Sequence, residues 1–103
     1  MLESRYQRYL TQTIEDMFPG CLIIKNPPNQ RQGIPDLLIL HGHRWAALEV
    51  KTSENAAVQP NQPYYVDLLD DLSYAAFIYP ENEAQVLNEL QQALTVGRPT
   101  RVS

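Results

Sequence analysis

The stretch GIPDLLILHGHRWAALEVK, residues 33–51, decides the fold of this 103-residue chain. It contains two apolar runs, residues 36–40 and 45–51, whose composition is typical of β-strands. Between them, Gly42-His43 suits the two central positions of a type II′ turn, because that turn has glycine first. The stretch therefore predicts two antiparallel strands joined by a tight hairpin.

The hairpin determines which side chains face each other. With Gly42-His43 as its loop, residue 41 pairs with residue 44, and continued pairing places Asp36 opposite Glu49. Cβ atoms in such a pair lie about 4.5–5.5 Å apart. Lys51 follows Glu49 by two residues, so both side chains project from the same face of the sheet. Ala46, Leu48 and Val50, which alternate with them along the strand, then face the opposite side, where a helix would cover the core. A slip of one residue would turn one carboxylate away.

The rest of the chain supplies the other elements of an α/β fold. Apolar periodicity and Pro/Gly breaks predict helices at 2–18, 62–72 and 81–94 and further strands at 21–25 and 74–79. The resulting order, α-β-β-β-α-β-α, predicts a mixed sheet flanked by helices. We expect a single domain over residues 1–95 and a flexible tail over residues 96–103.

Two carboxylates that face each other across a strand pair repel, so an ordinary sheet avoids this arrangement. Mg²⁺ favours one or two carboxylates together with water and phosphate oxygens, so Asp36 and Glu49 predict a magnesium site with Lys51 beside it. Two simpler interpretations stay open. Glu49 and Lys51 would also suit a surface ion pair, and Asp36 after Pro35 would suit a turn.

Composition favours a reducing compartment and weighs against a general nucleic-acid binder. The net charge is −4, with 8 basic and 12 acidic residues, whereas nucleic-acid binders usually carry a basic surplus. Metal-binding carboxylates account for part of the acidity, and four basic residues fall within residues 25–51: Lys25, Arg31, Arg44 and Lys51. The single cysteine, Cys21, cannot form an internal disulfide, which indicates a cytoplasmic protein. No apolar run is long enough to span a bilayer.

The motif Gly33-Ile-Pro-Asp36, followed by a hydrophobic strand and Leu48-Glu49-Val50-Lys51, resembles the signature of the PD-(D/E)XK nuclease superfamily. The predicted order of elements is also similar to the αβββαβ restriction-endonuclease-like core. Within that superfamily, the chain looks most like small virus-type replication-repair nuclease (VRR-NUC) domains and Holliday junction resolvases. The resemblance implies an Mg²⁺-dependent endodeoxyribonuclease of DNA repair or recombination, with Mn²⁺ as a substitute, in a bacterial or phage-infected cell.

The same resemblance implies a role for each matching residue. Asp36, Glu49 and the backbone carbonyl of Val50 would bind the metal, and Lys51 would orient or activate the attacking water. Glu3 would add a further metal ligand, although a first-turn glutamate also simply stabilises the helix dipole. Gln62 matches a glutamine that relatives carry at the start of the next helix. An ordinary polar helix start and a competing role for Gln59 both stay open.

The sequence also suggests contacts with DNA and a second copy of the chain. Arg31 and Gln32, beside the predicted active-site loop, are the better candidates for contacts with the DNA backbone. Lys25 and Arg44 are further candidates. His41 and His43 at the hairpin tip lack obvious further metal ligands, so a contact with phosphate is the better interpretation.

One small acidic domain offers little surface for DNA, so we expect a homodimer or a higher assembly. Branched DNA such as a junction is the expected substrate. The alternatives are a sequence-specific homing or restriction-type endonuclease, and a non-catalytic DNA-binding or assembly module with the same fold.

Overall fold

The computed structural model describes residues 1–27 and 33–96. Every predicted helix and strand is present, with ends that shift by at most two residues. The elements are α1 (Glu3–Met17), β1 (Leu22–Lys25), β2 (Leu37–His41), β3 (Arg44–Val50), α2 (Asn61–Leu72), β4 (Tyr74–Ile78) and α3 (Glu83–Thr95). The predicted tail beyond residue 96 lies outside the described residues.

The four strands form one mixed sheet in the order β1-β2-β3-β4. The pairs β1–β2 and β2–β3 are antiparallel, whereas β4 runs parallel to β3. A parallel pair needs a crossover connection, and α2 supplies it. The α/β class and the mixed sheet predicted from the sequence are both confirmed.

The hairpin between β2 and β3 has the predicted register. His41 pairs with Arg44 at the turn, and the ladder continues to Leu37 opposite Leu48. Gly42 has φ +62°, and no described non-glycine residue has positive φ, so the next turn residue has negative φ. That combination is compatible with a type II′ turn and excludes type I′, which needs positive φ at both central positions.

Helices cover the two faces of the sheet unequally. Helices α1 and α3 pack on one face, where Ala46, Leu48 and Val50 join the main core. Helix α2 packs on the other face through Val66, which contacts a smaller apolar cluster that includes Ala47. Strand residues alternate between faces, so Glu49 belongs to the α2 side, as the sequence predicted.

Two further expectations concern Cys21 and the membrane. Cys21 is half-buried and packs against the main core, and burial raises the pKa of its thiol. This position is typical of a free cysteine that packs as a small apolar residue. In the part of the chain that the structure describes, no helix combines the length and the apolarity needed to cross a bilayer.

Gly33 touches the first residue of α2. A Cβ atom added to Gly33 would lie 2.6 Å from Cβ of Asn61 and 2.8 Å from its backbone carbon. Gly33 also has φ +92°, a conformation that side chains disfavour. A close approach and a positive φ therefore both require glycine here, at the point where the segment before Asp36 meets the start of α2.

We expect Gly33→Ala to lower the free energy of unfolding by about 1–3 kcal/mol more than Gly20→Ala, because only the first substitution overpacks the helix start. Gly20 is the matched control, since its φ is +89° and nothing lies within 4 Å of the added Cβ. Urea unfolding of both variants measures the difference. Equal losses in the two variants would show that the contact with Asn61 relaxes without cost.

Candidate active site

Asp36 and Glu49 meet at one end of the β2–β3 pair. Asp36 directly precedes β2, and its backbone carbonyl accepts a hydrogen bond of 2.7 Å from the amide of Asn26. Its side-chain Oδ2 accepts a second bond, of 2.8 Å, from the amide of Val50. The backbone on both sides thus holds the Asp36 carboxylate beside the end of β3, where Glu49 is the penultimate residue.

The Glu49 carboxylate is buried, and only one of its two oxygen atoms has a hydrogen-bond partner. The residue is 3% exposed. Its Oε2 accepts a bond of 2.8 Å from Nε2 of Gln62 and lies 3.8 Å from Nζ of Lys51. Within the described residues, Oε1 of Glu49 is the one buried side-chain N or O atom without a hydrogen-bond partner. A buried polar atom without a partner costs free energy, so a proton or a cation would complete this site.

The electrostatics of the acid pair follow from this burial. Burial, and after it the adjacent Asp36 carboxylate, raise the pKa of Glu49 to about 8, although the Lys51 ammonium acts in the opposite direction. In water, a glutamate has a pKa near its ordinary value of 4.5. The folded protein therefore disfavours a second negative charge beside Asp36 unless a positive charge arrives.

Lys51 is held in place at the end of β3. It is 8% exposed, and its backbone amide donates to the carbonyl of Ile78 on β4 at 2.9 Å. Its Nζ donates to the carbonyl of Ala57 at 2.9 Å and to Oε1 of Gln62 at 2.7 Å. An ammonium group has three N–H donors, so these two bonds leave one donor for another acceptor.

Gln62 connects the acid to the lysine. It lies in the first turn of α2, where its Nε2 donates to Glu49 and its Oε1 accepts from Lys51. Oε1 also accepts the backbone N–H of Gln59 at 2.9 Å. A side-chain amide both donates and accepts, which this bridging position requires. Of the two glutamines considered, the structure places Gln62 in the site, and Gln59 contributes its backbone amide only.

Glu3 lies near the acid pair but does not join it as a third close carboxylate. Burial raises the pKa of Glu3, the Asp36 charge raises it further, and Lys51 and Lys25 act in the opposite direction. The described residues contain no group of three or more His, Cys, Asp or Glu side chains arranged to hold a metal ion. The role of Glu3 as a metal ligand therefore stays a prediction.

The predicted DNA contacts fall in different places. Arg31 and Gln32 lie outside the described residues. Lys25 pairs with Leu37, next to Asp36, so it lies at the same end of the sheet as the acid pair. Arg44 begins β3, five residues before Glu49, and strand geometry places it about 17 Å away. The structure does not bring Arg44 to the site, because the hairpin turn and the acid pair occupy opposite ends of the strands.

The two histidines lie at the same end of the sheet as Arg44. His41 pairs with Arg44, and its ring lies 5.3 Å from the ring of Phe18, at the end of α1. His43 is exposed in the turn. Neither residue lies near the acid pair, so any contact between phosphate and these histidines would be remote from it.

The raised pKa of Glu49 predicts a pH dependence of stability for the metal-free protein. From about 4.5 to about 8 the folded state binds more protons than the unfolded chain, so the free energy of unfolding falls as pH rises through that range. We expect Glu49→Gln to reduce this fall by at least about 1 kcal/mol. Urea unfolding in the presence of a chelator, repeated at several pH values across this range, measures the free energy of unfolding of both proteins.

Glu54→Gln is the control for that experiment, because Glu54 is an exposed carboxylate of the following loop. It should keep the slope of the wild type. Identical slopes for the wild type and Glu49→Gln would show that the acid pair does not hold an extra proton.

Comparison with known proteins gives one fold assignment. No family model matches the chain, and no curated protein matches its sequence. A solved structure of a VRR-NUC domain is similar, with a TM-score of 0.66 and 26% sequence identity over 84% of this chain and 94% of that chain. Together with the three helices and the four-stranded mixed sheet, this likeness shows that the chain has a VRR-NUC-type, PD-(D/E)XK-like nuclease fold.

Proposed function

We propose that this protein is a metal-dependent DNA endonuclease that hydrolyses phosphodiester bonds, with selectivity for branched DNA. The observation that carries the proposal is the buried carboxylate oxygen of Glu49, which has no partner and lies beside Asp36 and a fixed lysine. The likeness to a VRR-NUC domain supports a nuclease function for this arrangement.

The chemistry of the donor set fits Mg²⁺. Asp36 and Glu49 offer oxygen atoms of the kind that hard cations prefer, and an unpartnered buried carboxylate oxygen gains most from such a cation. Val50 donates its amide toward Asp36. Its carbonyl points to the same side of the strand, as in any β-strand residue, which supports the predicted carbonyl ligand. When bound, Mg²⁺ supplies Lewis-acid stabilisation of phosphate charge and an acidified water.

The side chains of the protein prepare the site for the scissile phosphate. Gln62 and Ala57 fix the Lys51 ammonium through two of its three donors. The third donor is then available for a phosphate oxygen or for the attacking water. A positive charge held in advance stabilises the charge that develops on the phosphate, with little reorganisation during the reaction. Gln62 also orients Glu49, because the amide group that accepts a bond from Lys51 donates another to the Glu49 carboxylate.

We expect a direct metal-binding signal from the wild-type protein in isothermal titration calorimetry with Mg²⁺ and Mn²⁺. Glu49→Gln and Asp36→Asn should each weaken binding by at least about tenfold, which corresponds to about 1.4 kcal/mol. Glu54→Gln should bind as the wild type does. Unchanged affinity in both site variants would place the cation elsewhere and contradict the proposed ligands.

Cleavage is the decisive test. Labelled four-way junction, flap, linear duplex and single-stranded DNA are incubated with the pure protein in Mg²⁺ or Mn²⁺. Asp36→Asn, Glu49→Gln and Lys51→Ala should each lose at least about 100-fold in cleavage rate, because each removes a group that stabilises the transition state. Chelator should abolish cutting, and Glu54→Gln should leave it unchanged.

The substrate that is cut fastest distinguishes the alternatives. Preference for the junction or flap supports structure selectivity, whereas cutting of one duplex sequence would indicate a homing or restriction-type enzyme. DNA binding without any cutting would indicate a non-catalytic module and overturn the proposal.

We also propose a homodimer in the cytoplasm of a bacterial or phage-infected cell. The single free cysteine is compatible with a reducing compartment, and two centres related by a two-fold axis suit symmetric cutting of a junction. Sedimentation of the pure protein tests this assembly state, and a monomer at all concentrations would contradict it.

A further inference from the structure

A polar groove lies between α1 and the edge strand β1, on the opposite face of the sheet from α2. Its volume is about 290 Å³. Its lining includes Ser4, Gln7, Arg8, Thr11 and Glu15 from α1 and Lys25 from β1. Apart from Lys25, none of them was predicted to have a function.

Gln7 is the unusual residue of this groove. It is only 7% exposed although it is polar. Its side-chain amide lines the groove and makes no hydrogen bond to any residue in the described ranges 1–27 and 33–96. Within the described residues only Oε1 of Glu49 is both fully buried and without a partner, so the Gln7 amide keeps contact with solvent in the groove. A ligand that reaches into the groove would meet this amide.

The other polar groups of the groove favour an anionic ligand. Arg8 and Lys25 supply two positive charges, and Glu15 supplies one negative charge. The groove is therefore net positive in a chain whose net charge is −4. Hydroxyl groups of Ser4 and Thr11 add neutral donors. Arginine, lysine, hydroxyl and amide side chains are the groups that contact phosphate and sugar oxygens in complexes of proteins with nucleic acids.

One end of the groove, marked by Lys25, lies at the same end of the sheet as the acid pair. Lys25 is paired with Leu37, the neighbour of Asp36 in the chain. Glu3 lies close enough to both sites to be influenced by Asp36 and by Lys25. Lys25 is on the α1 face and Asp36 on the α2 face, since neighbouring strand residues alternate. A ligand that occupies both sites would pass around the end of the sheet.

We propose that the groove between α1 and β1 binds the sugar-phosphate backbone of the nucleic acid next to the scissile phosphate. This inference rests on the proposed nuclease function and adds a binding subsite, with Arg8, Lys25 and Gln7 as its contacts.

The test measures DNA binding separately from cleavage. Fluorescence anisotropy is recorded with a labelled four-way junction and a labelled duplex in chelator, so that no DNA is cut. Arg8→Gln and Lys25→Gln should each weaken binding by about tenfold and lower the slope of log affinity against log salt by about one. Gln7→Leu should weaken binding with an unchanged salt slope, because it removes an amide and no charge.

Arg5→Gln is the matched control. Arg5 carries the same charge on the same helix, is exposed and does not line the groove. It should bind DNA within about twofold of the wild type. Circular dichroism and thermal unfolding establish that all four variants are folded.

The outcomes separate the two proposals. If the wild type binds and cuts DNA but Arg8→Gln behaves like Arg5→Gln, the groove proposal is wrong and the nuclease stands. If the wild type neither binds nor cuts any of the DNA substrates, the proposed function fails, and the groove proposal fails with it. Loss of binding in Arg8→Gln and Lys25→Gln, but not in Arg5→Gln, supports the groove.

Discussion

The structure depends on the register between β2 and β3. A two-residue turn fixes this register, and pairing along the two strands brings Asp36 to the end of β3, beside Glu49. The same alternation sends Ala46, Leu48 and Val50 into the core between the sheet and helices α1 and α3. One constraint thus positions the acidic groups and buries the opposite face, so a change of register would disturb both.

Burial determines the electrostatic properties of the acid pair, Asp36 and Glu49. An exposed pair of carboxylates would be screened by water, whereas Glu49 is nearly inaccessible and has one oxygen without a partner. Gln62 limits the cost by satisfying the second oxygen and by holding Lys51 nearby. The fold therefore maintains an unfavourable local arrangement through favourable packing around it, which is common at functional sites.

Much of the fold and part of the site could be predicted because they depend on local patterns. The hairpin loop fixes the opposition of Asp36 and Glu49, and the spacing of Glu49 and Lys51 puts both on one face. The bond from Lys51 to the carbonyl of Ala57 could not be predicted, since it depends on the conformation of an irregular loop. Sequence similarity suggested Gln62, but only the packing of α2 shows that it bridges two side chains.

The positions of other polar residues relative to the acid pair could not be predicted, because they depend on three-dimensional packing. Arg44 belongs to the basic residues of the segment 25–51, but β3 places it at the far end of the sheet from Glu49. Along α1, the groove residues Ser4, Gln7, Arg8 and Thr11 recur at three- and four-residue steps. That spacing marks a polar stripe on one helix face. In the sequence this polar stripe is hard to recognise, because the apolar pattern of the same helix is stronger.

The amide of Lys51 that pairs with Ile78 implies an order of assembly during folding. The two acidic residues come together through a hairpin, which closes a short loop and forms rapidly. Glu49 and Lys51 acquire their partners on α2 and β4 only when β4 docks in parallel, after α2 has crossed the sheet, and such long-range pairing is slow. On a growing chain, the hairpin that carries the site residues can therefore form early, whereas the complete centre exists only after most of the domain has been synthesised.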